Sequence, residues 1–158
     1  MKVKNKFEPI INSNSEILIL GSFPSVKSRK ENFYYMNEYN RFWKVLSILY
    51  DDDFNNKDIN VKIRLLKKYK IALYDTVLEC DIDKSKDNTI MNIIPTDIKE
   101  LIRNTNIKKI FLNGKTAEKI FKKYNDINVE CFTLPSTSSA NARISLSELV
   151  ILWKILKK

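Results

Sequence analysis

Histidine is absent from the 158 residues of this chain, and cysteine occurs only twice. The missing histidine excludes a histidine general base, a Ser–His or Cys–His nucleophile pair and a histidine metal ligand. Cys80 and Cys131 lie far apart and outside any CxxC spacing, which leaves too few thiols for an all-cysteine zinc or iron–sulfur site. We interpret both as reduced, partly buried thiols. Any catalysis must therefore use carboxylates, amides, hydroxyls, lysine or water.

Glycine is almost as scarce, with only Gly21 and Gly114. A dinucleotide-binding GxGxxG fingerprint is excluded because Gly21 has no partner glycine. The segment NGKT, residues 113–116, resembles the end of a phosphate-binding P-loop, but Lys109 occupies the position of the required first glycine. NGKT therefore predicts a tight turn from a strand into a helix, at which Lys115 or the helix N-terminus can contact a phosphate.

Long apolar runs are also missing. No stretch approaches the roughly 18–20 residues of a membrane span, and the N-terminal MKVKNKFEPI lacks the apolar core of a signal peptide. We therefore expect a cytoplasmic protein without a membrane segment. A chain of this length with 44% apolar residues can bury its own core, which predicts one domain over residues 1–158.

The formal net charge is +9, from 28 basic and 19 acidic residues. A basic balance is typical of proteins that approach phosphate backbones. The abundance of Lys, Ile and Asn is also typical of an AT-rich genome, which would make many of these lysines ordinary solvated surface. Charge alone leaves both interpretations open.

Short apolar runs alternate with amphipathic segments along the chain. Four runs predict buried strands, at residues 16–21, 71–75, 108–114 and 129–135. Helical spacing appears between them and after the last, where Ser145 and Glu148 form a capping-box pattern. The alternation predicts a three-layer α/β/α fold with a four-stranded parallel sheet. Ligands bind beyond the carboxyl ends of such strands, so we expect the segments after the four strands to meet at one edge.

Two of these segments carry candidate site residues. GSFPS begins at Gly21 and is stiffened by a proline, so it presents Ser22 and Phe23 in a defined orientation. Phe23 either offers a stacking surface to a flat ligand or caps the core. Asp75 ends the second strand, where it either serves chemistry together with Asp81, which we expect in a charged loop that follows, or, as we favour, caps a turn.

The last loop, LPSTSSANAR at residues 134–143, is rich in hydroxyls and ends at Arg143. It can line phosphates through hydroxyls and backbone N–H groups, or it can simply cap the final helix. Asn40 precedes the apolar face of a predicted helix over 42–49. Taken alone, it is interpreted as an N-cap whose amide oxygen accepts from free backbone N–H groups.

Four motifs, in order, resemble those of one enzyme family: ILGSFPS with YYMNEYNRFWKVL, then IALYDTVLEC, IFLNGKTAEKIF and LPSTSSANARIS. The chain resembles the uracil-DNA glycosylase superfamily and, within it, the DNA-deoxyinosine (hypoxanthine-DNA) glycosylases. The resemblance covers nearly the whole chain. NRFWKVL is also similar to the corresponding stretch of the mismatch-specific uracil and thymine glycosylases.

The resemblance implies a monomeric, monofunctional DNA glycosylase of base-excision repair, which flips a damaged base out of DNA and hydrolyses its N-glycosidic bond without a metal or cofactor. It implies that Phe23 stacks on the base, that residues 134–139 enter the minor groove, and that Asn40 matches the catalytic asparagine of the deoxyinosine branch. The implied base pocket contains Gly21, Ser22, Phe23, Tyr35 and Asp75. The implied DNA contacts are Ser25, Lys115, Ser136, Thr137, Ser138, Asn141 and Arg143.

Three positions depart from other members. Phe23 stands where many relatives have a catalytic Asp or Asn, and Leu134 stands where some have a histidine. The deoxyinosine branch resembles this chain in both respects, but it commonly has proline at the position of Ser139. One alternative to hypoxanthine release is a uracil or mismatch glycosylase, because NRFWKVL is shared with that group. The other is a catalytically silent DNA-binding module on the same fold, because Asn40 is the only catalytic candidate.

Overall fold

The structure, a computed structural model, describes residues 2–82 and 90–158. Its centre is a parallel sheet of four strands: β2 (Ile17–Gly21), β3 (Ile71–Asp75), β6 (Lys109–Asn113) and β7 (Glu130–Leu134). Their order across the sheet is β3-β2-β6-β7. All four predicted strands are confirmed, each within one residue of its predicted bounds. The predicted α/β class with a four-stranded parallel sheet is confirmed as well.

The register brings the carboxyl ends of the strands to one edge. Gly21 pairs with Asp75, and Asn113 pairs with Leu134. The buried residues of β2 and β6, among them Leu18, Leu20 and Phe111, form the middle of the hydrophobic core. Near-continuous apolar strands are expected when a parallel sheet is covered on both faces.

A second, antiparallel sheet was not predicted. It contains β1 (Lys2–Lys4), β4 (Val77–Asp81) and β5 (Met91–Pro95), in the order β1-β4-β5. Strand β1 is too short to show a period, and β4 follows β3 after a single residue, so the sequence reads as one continuous apolar segment. The prediction that Asp81 lies in a charged loop is wrong. This residue ends β4, and its carboxylate accepts a hydrogen bond from Asn92 at 2.7 Å.

Helices pack around the main sheet. They are α1 (Val26–Glu31), α2 (Phe42–Tyr50), α3 (Ile59–Lys68), α4 (Ile98–Leu101), α5 (Lys115–Tyr124) and α6 (Leu146–Trp153), followed by a 3₁₀ helix (Lys154–Lys157). The capping box at the start of α6 is confirmed, with the Ser145 hydroxyl accepting from the Glu148 N–H at 3.1 Å. Helix α1 was missed because VKSRKE has no apolar face.

The two cysteines differ in burial. Cys80 is buried in a small cluster beside β4, as expected, whereas Cys131 is exposed. The prediction of partial burial is wrong for Cys131 because β7 is an edge strand with no neighbour beyond it. No helix among the described residues has the length and apolar character needed to cross a membrane.

Candidate active site

A cleft of about 620 Å³ opens at the carboxyl edge of the parallel sheet. Residues from β2, β3, β6 and the loop after β7 line it, so the predicted convergence of the strand ends is confirmed. The lining contains Gly21, Ser22, Phe23, Ser25, Tyr35, Asn40, Asp75, Ser136, Thr137 and Ser138 from the sequence-predicted set. It also contains Phe7, Pro24, Ser28, Tyr34, Asn37, Asn113, Ser139 and Ala140.

Gly21 is required by close packing inside this cleft. A Cβ atom at this position would lie 2.8 Å from Asp75 Oδ1 and 3.0 Å from the Tyr35 hydroxyl. The first distance is shorter than real Cβ contacts, and the second is tighter than most of them, so both side chains would have to shift. Gly21 therefore lets a carboxylate and a phenol approach the end of the first strand.

Asp75 brings a carboxylate into the buried part of the cleft. Only 4% of the residue is exposed, and its Oδ2 accepts a hydrogen bond from Asn5 Nδ2 at 3.0 Å. Burial raises the pKa of Tyr34 and Tyr74 above the ordinary value, and the nearby Asp75 adds to both shifts. Since Asn5 is 70 positions away in the chain, Asp75 also fastens the N-terminal segment to the site.

Tyr35 is held in a strained backbone conformation. Its φ of 54° lies in the left-handed region, which costs a bulky residue on the order of 1–3 kcal/mol. The ring stacks on Phe42, with centroids 4.0 Å apart and planes inclined by 20°. Phe42 is fully buried at the start of α2, so this stack sets the position of the phenol beside Gly21.

Phe23 both packs against the protein and lines the cleft. It is 9% exposed and belongs to a cluster with Val77, Cys80 and Ile82. The Arg29 guanidinium lies 5.5 Å from the ring centroid. Burial lowers the pKa of Arg29. The ring is thus fixed in place, with a small part of its surface open.

Asn40 lies at the cleft, directly before α2. Its Oδ1 accepts a hydrogen bond from the backbone N–H of Phe42, the first residue of α2, at 2.9 Å. The predicted N-cap position is wrong by one residue, because the N-cap of α2 is Arg41, whose side chain makes no capping bond. Because a backbone N–H can only donate, the bond from Phe42 fixes which end of the Asn40 amide is oxygen. The amide nitrogen Nδ2 donates to none of the residues in the ranges 2–82 and 90–158. It is therefore available to a ligand in the cleft.

The loop after β7 is fixed by two side chains that the sequence did not identify. Asn113 Oδ1 accepts from the Thr137 N–H at 3.0 Å, and Asn113 Nδ2 donates to Thr137 Oγ1 at 3.0 Å. On the opposite side, the Arg41 guanidinium donates to the backbone carbonyls of Ser138, Asn141 and Ile144. The Arg41 N–H adds a bond to the Thr137 carbonyl at 3.0 Å.

Gly114 allows this loop to approach α5. Its φ is 99°, and an added Cβ would lie 3.1 Å from the Ser136 Cβ. Its N–H donates to the Leu134 carbonyl at 2.9 Å. The predicted tight turn at NGKT is confirmed. Through Gly114, this turn packs against the loop after β7 and hydrogen-bonds the last residue of that strand.

Some predicted contact residues lie outside the cleft lining. Lys115 and Arg143 are exposed, and Asn141 uses Nδ2 to bond the Ser136 carbonyl at 3.1 Å. Ser25, which does line the cleft, also caps α1 by accepting from the Ser28 N–H at 3.1 Å. Their proposed contacts with DNA stay predictions.

The site residues that sequence reasoning missed differ in whether a sequence pattern pointed to them. Asn113 ends the observed strand β6 and begins the NGKT segment, so the rule about strand ends pointed to its position. Arg41 and Asn5 left no local pattern, because their partners lie 70 or more positions away. Among the described residues, no group of three or more cysteine and carboxylate side chains is arranged to hold a metal ion.

Comparison with known proteins agrees with this geometry. The family model of the uracil DNA glycosylase superfamily matches residues 8–157. A protein named hypoxanthine DNA glycosylase from Methanosarcina acetivorans is 30% identical over 146 residues, 90% of this chain and 91% of that protein. One of the same name from Methanosarcina barkeri is 30% identical over 144 residues, 89% of each chain.

A solved structure is similar over its whole length. It is a solution NMR structure of a protein from Methanosarcina acetivorans, provisionally named a uracil DNA glycosylase. That protein is 29% identical, and the two chains superpose with a TM-score of 0.80 over 100% of both. The match extends over sheet, helices and cleft loops alike. The chain therefore belongs to the uracil DNA glycosylase superfamily.

Proposed function

We propose that this protein is a monofunctional DNA glycosylase that removes hypoxanthine from deoxyinosine in DNA and leaves an abasic site. The observation that carries the proposal is the joining of Asn40, Tyr35, Phe23 and Asp75 in one cleft at the carboxyl edge of the sheet. A cleft of about 620 Å³ lies within the usual range for ligand sites, roughly 300–1,000 Å³. The names of the two curated relatives support hypoxanthine as the base.

The substrate must leave the duplex to reach this cleft. Flipping a nucleotide costs a few kcal/mol, and least for a base that pairs weakly, so deoxyinosine is extruded more readily than a normal nucleotide. Phe23, fixed by its cluster, offers the base a stacking surface. The net charge of +9 favours approach to the phosphate backbone.

Cleavage of the N-glycosidic bond forms an oxocarbenium-like sugar and a departing base anion. Water then adds to C1′ of the sugar to give the abasic site, and the proton that the water loses neutralises the base. The lactam of hypoxanthine spreads the charge of the anion, which makes the base a better leaving group than a normal purine. In the proposed mechanism, Asn40 Nδ2 donates a hydrogen bond to the departing base while Oδ1 remains bound to Phe42. Asp75 places a carboxyl group in the same cleft, where an ionised carboxylate would stabilise a positively charged sugar.

Oligonucleotides with a single deoxyinosine, a single uracil or a G·T mismatch test the substrate. We expect release of hypoxanthine, detected as strand cleavage at the abasic site after alkali. Strong release of uracil with none of hypoxanthine would assign the protein to the uracil or mismatch alternative. Binding without release of any base would leave the catalytically silent module.

Two substitutions of Asn40 test its role. Asn40→Asp keeps an oxygen for Phe42 but loses the N–H donor, so the protein should fold and bind DNA while hypoxanthine release falls roughly 10²–10³-fold, as for loss of one transition-state donor. Asn40→Ala should lose release as well, and also the hydrogen bond to the Phe42 N–H, which is worth about 0.5–1.5 kcal/mol of stability. Unchanged turnover in both variants would restrict Asn40 to its hydrogen bond with Phe42.

The remaining features of the proposal concern assembly and location. We propose a monomeric enzyme, because one chain supplies the cleft into which the base would be flipped. Its substrate, damaged cellular DNA, would bring it to the nucleoid within the cytoplasm. Sedimentation of the free protein and of its complex with a deoxyinosine duplex measures the oligomeric state directly.

A further inference from the structure

The loop over residues 136–140 has no large side chain. Its residues are Ser136, Thr137, Ser138, Ser139 and Ala140, and Thr137 is completely buried. Proteins that hold a duplex open insert a bulky apolar or aromatic side chain into the base stack. Hydroxyls and a methyl group cannot fill the space of a flipped base. This loop can contact the backbone, but it needs a wedge from elsewhere.

Tyr39 is an exposed aromatic residue at the margin of the cleft. It is 69% exposed, more than any other large apolar or aromatic side chain among the described residues. Both Asn37 and Asn40, on either side of it, line the cleft. A single exposed apolar residue is common on protein surfaces. Tyr39 is distinguished by its position between two residues of the cleft lining.

The backbone at Tyr39 is fixed. The Tyr39 N–H donates to Asn37 Oδ1 at 2.9 Å, and the Asn40 N–H donates to the Asn37 carbonyl at 2.9 Å. These two bonds make residues 37–40 a closed turn. A rigid turn loses little entropy when its side chain enters a base stack.

Arg41 connects this turn to the small-residue loop. Two residues after Tyr39, its guanidinium and N–H bond to four carbonyls between Thr137 and Ile144. The turn and the loop therefore form one rigid margin of the cleft. The loop supplies backbone and hydroxyl contacts, and the turn supplies an aromatic ring.

We propose that Tyr39 is the wedge, and that its ring occupies the stack where the target nucleotide has left the duplex. This inference rests on the proposed base-flipping function. Val26 is the rival side chain, since it follows Ser25 of the cleft lining and is 46% exposed. It has no flat ring and covers less of a base. Phe23 lies inside the cleft and is 9% exposed, so it can meet only the flipped base, whereas the exposed ring of Tyr39 can stack within the duplex.

The test compares duplex with single-stranded substrate. Hypoxanthine release from one deoxyinosine oligonucleotide is measured as kcat/KM, alone and annealed to its complement, for Tyr39→Ala, Tyr39→Phe and Val26→Ala. Tyr124→Ala, an exposed tyrosine at the far end of α5, is the matched control. We expect Tyr39→Ala to lose roughly ten- to a hundredfold on the duplex, the usual effect of removing one stacked ring. On the single strand, where no stack must be held open, it should equal the unsubstituted protein.

A second readout reports flipping without catalysis. With 2-aminopurine beside the deoxyinosine, unstacking raises fluorescence on binding, and Tyr39→Ala should reduce that rise while Tyr39→Phe retains it. Equal losses on duplex and single strand, or a duplex-specific loss in Val26→Ala instead, would overturn the assignment of Tyr39. If the unsubstituted protein releases hypoxanthine from neither substrate, the proposed function fails. The fluorescence rise in Tyr39→Ala and Tyr39→Phe then tests the role of Tyr39 as the wedge without any measurement of base release.

Discussion

Substitution of Gly21 by alanine probes the packing on which the cleft depends. The backbone at Gly21 does not have a positive φ, so an alanine meets no conformational penalty there. What it meets is Asp75 Oδ1 at 2.8 Å and the Tyr35 hydroxyl at 3.0 Å, whereas ordinary contact begins at 3.4 Å. The carboxylate must therefore retreat by about 0.6 Å, the difference between those two distances. Its bond to Asn5 and the stack of Tyr35 on Phe42 oppose the shift.

The size of the effect follows from this crowding. Forcing one extra carbon into a packed site costs about 1–3 kcal/mol, and for a chain of this size each kcal/mol lowers Tm by roughly 2–4 °C. The rate of hypoxanthine release should fall by more than the loss of folded protein explains. A misplacement of reacting groups by about 1 Å can lower a rate about 10²-fold. Thermal unfolding and base release are the two measurements for Gly21→Ala.

A double-mutant cycle isolates the contact with Asp75. In an Asp75→Ala background the carboxylate is gone, so Gly21→Ala should cost at least about 1 kcal/mol less than in the unsubstituted chain, as expected for side chains in direct contact. The cycle is read from free energies of unfolding, so it does not depend on activity. An identical cost in both backgrounds would refute crowding by Asp75 as the reason for this glycine.

Two further predictions concern the loop and the surface. Arg41→Lys should speed hydrogen exchange in residues 136–141 and lower the free energy of unfolding by about 1–3 kcal/mol, because an ammonium cannot reproduce the fork to three carbonyls. Arg64→Lys, at an exposed position, is the control, and equal exchange in both variants would show that contacts such as those of Asn113 and Asn141 hold the loop without Arg41. Hydrogen bonds from Lys68, at 3.0 Å, and then from Tyr69 lower the pKa of Asp52 from 3.8 to about 2, so the stability it contributes is complete above pH 3.8 and is lost as the pH falls towards 2. Asp52→Asn should therefore unfold with a weaker pH dependence in that window, and an unchanged acid limb would contradict the assignment.

The central sheet was predictable because each of its strands is a short apolar run that ends at a turn or a polar residue. The ILILG and KIFLN strands are buried on both faces, and such strands give a continuous apolar signal. The second sheet gave no such signal. Its strand MNIIP has exposed residues and a positive φ at Asn92, and β1 contains three residues only.

The cleft was predictable to the extent that strand ends define it. Gly21 and Asp75 end paired strands, so topology alone brings them together. The roles of Asn5 and Arg41 could not be predicted, because each acts through one long-range hydrogen-bond set without periodicity or motif. Phe23 shows a different difficulty: packing against Val77 and lining the cleft are compatible, so the two interpretations of the sequence were not true alternatives.

The start of α2 shows how adjacent residues acquire separate tasks. Tyr39 extends into solvent, the Asn40 amide lies at the cleft, and the Arg41 guanidinium reaches the loop after β7. All three residues precede the first helical residue, Phe42, so their side chains keep these directions only while the start of α2 is fixed. Phe42 fixes this start, since it is fully buried, stacks on Tyr35 and donates its N–H to Asn40. The hydrogen bond to Phe42 and the proposed catalytic role of Asn40 are thus consistent: the bond uses the amide oxygen, so the amide nitrogen stays available for the role that we propose in the cleft.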